Sequence, residues 1–231
     1  MTWLIIGLNA LVFFFELELP KETLEQVTYL FGTVPARFTH PDWAAEVGFP
    51  LNSYWPFLTS MFLHGGWLHI IGNMWTLFVF GRNVEDQMGP ARFLVFYLLC
   101  GVVSGIVHTI VNADSTLPAI GASGAIAGVM GAYLVMFPLS RVVIMIPIFI
   151  FPFFFDVIAV FYLAYWFLLQ FFSGAFALVK TSDGGGIAFW AHVGGFLGGI
   201  ALFALFLRPR EERRACHADE GCVEHAWSRF R

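Results

Sequence analysis

The sequence predicts an all-α, polytopic membrane protein with six transmembrane helices. Of its 231 residues, 58% are hydrophobic and 12% are charged, and the mean hydropathy is +0.75. Because a soluble domain carries about 25% charged residues, this composition indicates an integral membrane protein. Six apolar segments also approach the roughly 20 residues that a helix needs to cross a bilayer. Finally, the Lys and Arg residues are divided unequally between alternate loops.

The six predicted spans form one membrane domain, residues 1–207, and a charged tail follows at 208–231. The approximate bounds of the spans are 3–19, 65–82, 91–111, 121–138, 153–172 and 187–207. The first span lacks the basic flank and cleavage site of a signal peptide, so it is expected to remain as a helix. The first connection, 20–55, is long and rich in proline and tryptophan, which predicts short helices lying in the membrane interface.

The distribution of basic residues predicts the orientation. One set of alternate loops contains only Lys21, Arg37 and Lys180, and the other nine of the 12 Lys and Arg residues lie on the opposite side. Under the positive-inside rule both termini are therefore cytoplasmic, and the first, third and fifth loops face outward.

Spans four, five and six differ in character. The fifth is crowded with phenylalanine, which predicts exposure to lipid. The fourth and sixth contain glycines four residues apart, at Gly124–Gly128, Gly194–Gly198 and Gly195–Gly199. Such spacing lets two helix backbones approach closely, either as generic packing or to bring particular side chains together.

Several functional classes are not expected. No basic patch interleaved with aromatic residues suggests a nucleic-acid partner, and 3 cysteines are too few for a disulfide scaffold. The tail contains Cys216, His217, Cys222 and His225, but their spacing matches no standard zinc site. We therefore expect no metal and no cofactor.

Five polar residues fall at one predicted depth near the outer ends of spans two, four and six. They are Ser123, His192, His64, His69 and Asn73. Ionisable groups are costly in a bilayer and so raise the odds of function. A hydroxyl and an imidazole are also the minimum parts of a nucleophile and its general base. Each residue alone could be an interhelical bridge or part of an ion path, but five at one depth favour catalysis.

Span four also predicts a site for a negatively charged oxygen. If its helix begins at Ser123 and ends before Pro138, it is too short to cross the whole hydrocarbon core, so its N-terminus lies below the surface. A helix N-terminus presents unpaired N–H groups, which are the donors that an oxyanion needs. His69 and Asn73 are four residues apart, so they share a helix face and can add further donors.

These residues carry a resemblance to a known family. The run His64-x4-His69-x3-Asn73, then Gly121-Ala122-Ser123-Gly124, then Ala191-His192 in a glycine-rich last span, resembles the rhomboid family of intramembrane serine proteases. The likeness covers about residues 58–207, and the segment 31–35, Phe-Gly-Thr-Val-Pro, is similar to bacterial members. The resemblance implies a six-helix rhomboid-like bundle in a prokaryotic inner membrane, with its site open to the outer face.

By that resemblance, Ser123 is the nucleophile and His192 the general base of a dyad without an aspartate. The Ser123 backbone N–H, Asn73 and His69 form the oxyanion hole, and His64 supports them. Some rhomboids carry a tyrosine one turn after the serine, stacked on the histidine, whereas this chain has Ala127 there. Either another aromatic residue holds the imidazole, or it is less restrained.

The implied reaction is hydrolysis of peptide bonds in or near a transmembrane segment of another membrane protein that approaches sideways from the lipid. Span five and the following Ser182–Gly186 segment are a candidate gate, or an ordinary span and loop. An alternative is a non-catalytic rhomboid-like protein that binds membrane clients. A transporter is disfavoured because the chain lacks an internal repeat.

Overall fold

The computed structural model describes residues 1–50, 52–148, 151–179 and 188–209. Most of these residues are helical. The five long helices that correspond to predicted spans one, two, three, five and six are α1 (Thr2–Glu18), α6 (Trp67–Met88), α7 (Pro90–Val111), α9 (Ala159–Val179) and α10 (Phe189–Phe206). The fourth predicted span is the shorter helix α8 (Ser123–Met136).

The long first connection folds into short helices, as its composition predicts. They are α2 (Lys21–Phe31), α3 (Pro35–Thr39), α4 (Pro41–Glu46) and α5 (Pro56–Thr59), and a 3-10 turn at Ser60–Phe62 follows α5. Proline occupies the first position of three of these helices, where its missing N–H costs no hydrogen bond.

The all-α prediction is wrong for one segment. Residues Arg141–Ile148 and Phe151–Ile158 form two antiparallel strands, β1 and β2, and the helix predicted at 153–172 begins only at Ala159. The segment is rich in valine, isoleucine and phenylalanine, which favour strands. Pro147 and Pro152, which lie opposite each other in the pair, would each interrupt a helix. Hydrophobic length alone did not distinguish this hairpin from the start of span five.

Helix α8 lies at the centre of the bundle. It is buried along almost its whole length and packs against α6, α7 and α10, while α1 packs on the outside of α6. Gly89 alone separates α6 from α7. Its φ of +81° lies in the left-handed region that favours glycine, and Pro90 then begins α7.

Three of the described helices are long and apolar enough to cross a membrane, namely Pro90–Val111, Ala159–Leu178 and Phe189–Phe206. Helix α8 is apolar but shorter. Together these helices identify a multi-pass membrane protein.

Candidate active site

Ser123 and His192 lie within hydrogen-bonding distance of each other. The Ser123 hydroxyl oxygen is 2.8 Å from Nε2 of His192. Ser123 is the first residue of α8 and is partly exposed, whereas His192, one turn into α10, is 9% exposed. Residues 69 positions apart in the chain therefore form the contact that a serine nucleophile and its base require.

Close packing of α8 against α10 produces this contact. A methyl group on Gly195 would overlap the carbonyl of Gly124, and one on Gly199 would overlap the carbonyl of Gly128. The other glycine pair, Gly194 and Gly198, faces α7 instead, against Val107 and Val103. The two interleaved glycine pairs of α10 therefore allow close approach to two different helices, α8 on one face and α7 on the other.

The second nitrogen of His192 is bound by Gln170 from α9. Nδ1 of His192 donates to Oε1 of Gln170 across 2.8 Å. With the proton on Nδ1, a neutral imidazole leaves Nε2 free to accept the Ser123 proton. The indole of Trp166, one turn before Gln170, lies against the same imidazole with 5.7 Å between ring centroids. These two residues hold the histidine in a chain that has Ala127, and no tyrosine, one turn after the serine.

His69 and Asn73 both lie beside the backbone that precedes Ser123. A Cβ on Gly121 would come within 2.6 Å of Nε2 of His69 and 3.6 Å of Nδ2 of Asn73. Gly121 has a φ of +120°, a conformation that glycine readily adopts. The backbone N–H of Gly65 donates to Nδ1 of His69 across 3.3 Å, so the proton of the neutral ring lies on Nε2.

Asn73 contributes a donor with no partner. Its side chain is buried, and Nδ2 makes no hydrogen bond within the described part of the chain. The backbone N–H groups of Ser123 and Gly124 also precede the first hydrogen bond of α8, which Ile126 donates to Ala122. A set of N–H donors therefore surrounds one side of Ser123.

His64 lies beside His69. Its ring centroid is 5.1 Å from that of His69, and its Nδ1 donates to the carbonyl of Phe62 across 3.3 Å. Burial, assisted by the positive charge of a protonated His69, lowers the pKa of His64 to about 4. His64 is therefore neutral near pH 7 and supports the loop beside His69.

Glu16 of α1 holds the loop that carries His64. Glu16 is 3% exposed, and the two oxygens of its carboxylate accept the backbone N–H of His64 at 3.3 and 3.2 Å. This contact joins α1 to the loop before α6, the helix that carries His69.

The first connection anchors the backbone immediately before Ser123. Thr33 and Ala119 exchange backbone hydrogen bonds of 3.0 and 2.9 Å, and the N–H of Gly121 donates to the carbonyl of Ser60 across 2.8 Å. The Phe-Gly-Thr-Val-Pro segment therefore contacts the approach to the candidate site.

A small cavity adjoins Ser123. Its volume is about 40 Å³, above the roughly 10–15 Å³ that a buried water molecule needs. Its polar lining includes Thr33, Ser60, Ser104 and His108, and its remaining walls are mostly glycine and alanine. Ser123 therefore faces a space that suits water or a small side chain.

Comparison with known proteins shows the family to which the chain belongs. Residues 51–209, more than half of the chain, match the family model of the rhomboid domain. The chain belongs to the rhomboid family. The match includes all five polar residues singled out in the sequence.

Bacterial and plant rhomboid proteins are among the relatives. The Bacillus subtilis rhomboid-family protein YdcA is 32% identical over 117 residues, which cover 49% of this chain and 58% of YdcA. Rhomboid protease GluP of the same organism is 39% identical over 83 residues, or 36% of this chain and 16% of GluP. Rhomboid-like protein 6, mitochondrial, of Arabidopsis thaliana is 37% identical over 83 residues, or 36% of this chain and 26% of that protein. The matched region thus spans little more than half of YdcA and less of the others.

Sequence reasoning missed three residues of this rhomboid site: Gln170, Trp166 and Glu16. Gln170 is an amide in an otherwise strongly apolar span, and an intramembrane polar residue was the available signal. Glu16 carries the same signal, since it is an acid within the first apolar span. The Ser182–Gly186 gate segment and the Cys and His residues of the tail lie outside the described residues. Among the described residues, no three His, Cys, Asp or Glu side chains group as metal ligands.

Proposed function

We propose that this rhomboid-family protein is an intramembrane serine endopeptidase that hydrolyses peptide bonds in or near transmembrane segments of other membrane proteins. The observation that carries the proposal is the hydrogen bond between Ser123 and His192 at the N-terminus of a buried helix. Homology to proteins named as rhomboid proteases supports the same chemistry.

In the acylation step the Ser123 oxygen attacks the substrate carbonyl while His192 Nε2 takes the hydroxyl proton. The tetrahedral oxyanion receives hydrogen bonds from the Ser123 backbone N–H, Asn73 Nδ2 and His69 Nε2–H. The imidazolium then gives its proton to the leaving amine, and an acyl-enzyme remains. A water molecule, activated by His192, adds to the ester and releases the carboxylic acid and Ser123.

The proposed topology has six spans, with both termini in the cytoplasm and the site open to the outer face. Under it, the ends of α6, α8 and α10 that carry His69, Ser123 and His192 lie together in the outer leaflet. A helical substrate would approach sideways from lipid past α9, whose surface is largely exposed. The cavity beside Ser123 would admit water or a small substrate side chain.

The test uses purified full-length protein in proteoliposomes with a panel of single-span membrane substrates, and mass spectrometry to locate the cuts. We expect wild type to cleave within or beside the span, and Ser123→Ala and His192→Ala to lose cleavage. Ser140→Ala is the matched control, because Ser140 is a buried serine after the opposite end of α8 that bonds to Tyr133. Equal cleavage by wild type and Ser123→Ala would refute the proposal. If the protein binds such substrates but neither cleaves them nor is labelled at Ser123 by a probe, the non-catalytic alternative is the correct one.

A further inference from the structure

The candidate base has a partner that a serine–histidine dyad alone does not include. No carboxylate among the described residues is bonded to His192, whose Nδ1–H is accepted by the neutral amide of Gln170 at 2.8 Å. The acids at the other end of the bundle have other partners. Glu85 accepts hydrogen bonds from Thr2, and Asp156 pairs with Arg141 on the hairpin.

Packing on both sides of Gln170 fixes its position against α10. One turn before it, Trp166 contacts the His192 imidazole and also Phe196, with a centroid distance of 6.0 Å to the latter ring. One turn after it, Gly174 lies against Trp190, where an added Cβ would come within 3.1 Å of the indole. The amide is therefore held in the middle of a continuous α9–α10 contact.

We propose that Gln170 is a positioning residue that completes a Ser123–His192–Gln170 triad and makes activation of Ser123 depend on the docking of α9 against α10. This inference rests on the proposed function. An amide can fill the third position, as asparagine does in the Cys-His-Asn arrangement of papain-like proteases. Its oxygen accepts a hydrogen bond from Nδ1–H of His192, which holds the tautomer in which Nε2 is basic and stabilises the imidazolium without bringing a second charge into a buried site.

The placement of Gln170 links substrate access to chemistry. Helix α9 is the exposed helix that a substrate would pass, and it also carries the group that orients the base. A displacement of α9 by a few ångströms would break the 2.8 Å contact, because hydrogen bonds weaken steeply beyond about 3.2 Å. The enzyme would then be fully active only after α9 had returned to its docked position.

Three variants test the proposal. Gln170→Leu removes the acceptor and puts an apolar side chain of similar length in its place. Gln170→Glu keeps an acceptor and adds a charge. Leu168→Ala is the matched control on the same helix, since Leu168 is about 200° round the axis from Gln170 and exposed. Thermal unfolding of each purified variant verifies folding, and if Gln170→Leu does not fold, Gln170→Asn, one methylene shorter, replaces it.

Two rates and a pH profile are measured. We expect Gln170→Leu to lower both kcat for a transmembrane reporter and the rate of Ser123 labelling by a small fluorophosphonate, by about 10- to 150-fold, with KM little changed. If Gln170→Asn takes its place, the shorter amide should also lower both rates, by a smaller factor. Gln170→Glu should retain more activity than Gln170→Leu and move the acidic limb of kcat/KM to higher pH, because a carboxylate stabilises the protonated imidazole. Leu168→Ala should behave as wild type.

The labelling rate distinguishes positioning from gating. Unlike a helical substrate, a small probe does not need α9 to move aside before it reaches Ser123. If Gln170→Leu is labelled at the wild-type rate with an unchanged pH profile, the positioning role is refuted, even if its turnover rises. If wild-type protein is neither labelled nor active, the proposed function fails instead.

Discussion

Replacing Gly195 by alanine should both destabilise this rhomboid protein and separate its candidate nucleophile from its base. The added methyl would overlap the backbone carbonyl of Gly124, one residue after Ser123. A carbon and a carbonyl oxygen rest about 3.3–3.6 Å apart, and no rotamer change can relieve a clash with backbone. Helix α10 would have to move away from α8 by roughly an ångström.

Two magnitudes follow from this displacement. Overpacking of this kind costs about 1–3 kcal/mol, which for a chain of this size corresponds to a fall in Tm of roughly 2–12 °C. His192 lies one turn before Gly195, so the 2.8 Å contact to Ser123 would lengthen as well. A misplacement of about 1 Å can cost about 100-fold in rate.

The assay compares Tm in detergent micelles and turnover of a transmembrane reporter for wild type, Gly195→Ala and Gly7→Ala. Gly7 of α1 is the control, because a Cβ there meets nothing within 4 Å. We expect losses of both Tm and turnover for Gly195→Ala only. Wild-type values for Gly195→Ala would show that α8 and α10 do not approach as closely as the structure indicates.

Three further predictions concern the residues around Ser123. Asn73→Ala should lower kcat by about 10²–10³ with little change in Tm, because Nδ2 has no hydrogen bond to lose; a large fall in Tm would contradict this. Glu16→Ala should lower Tm by roughly 2–12 °C, because it leaves the buried N–H of His64 without its acceptor at a cost of about 1–3 kcal/mol. Glu16→Gln, which keeps an acceptor oxygen, should retain most of the stability. The pKa of about 4 for His64 lies below its unfolded value of about 6.5, so the unfolded chain binds the extra proton and stability should fall as pH drops from about 6.5 towards 4. His64→Gln should flatten the slope of Tm against pH in that window, and an unchanged slope would show that other groups produce it.

Much of the helical framework could be predicted because it depends on local properties of the chain. Apolar length identified α1, α6, α7, α8 and α10, and most of their ends were predicted to within a few residues. Glycine spacing also predicted close helix contacts, because a missing side chain has the same consequence wherever the helix packs. The prediction for the hairpin at 141–158 was wrong, because whether an apolar run pairs as strands depends on its partner as well as on its own hydrophobicity.

The sequence by itself determined that Ser123, His192, His69 and Asn73 fall near the starts of their apolar helices, because position along a helix is a local property of the chain. Only the tertiary structure decided what holds His192. The contact with Gln170 and Trp166 depends on how α9 is rotated about its axis and docked against α10, and neither quantity is encoded in the local pattern of span five. Ala127 left open whether another aromatic residue holds the imidazole or whether the ring is less restrained, and the packing of α9 against α10 places Trp166 and Gln170 against it.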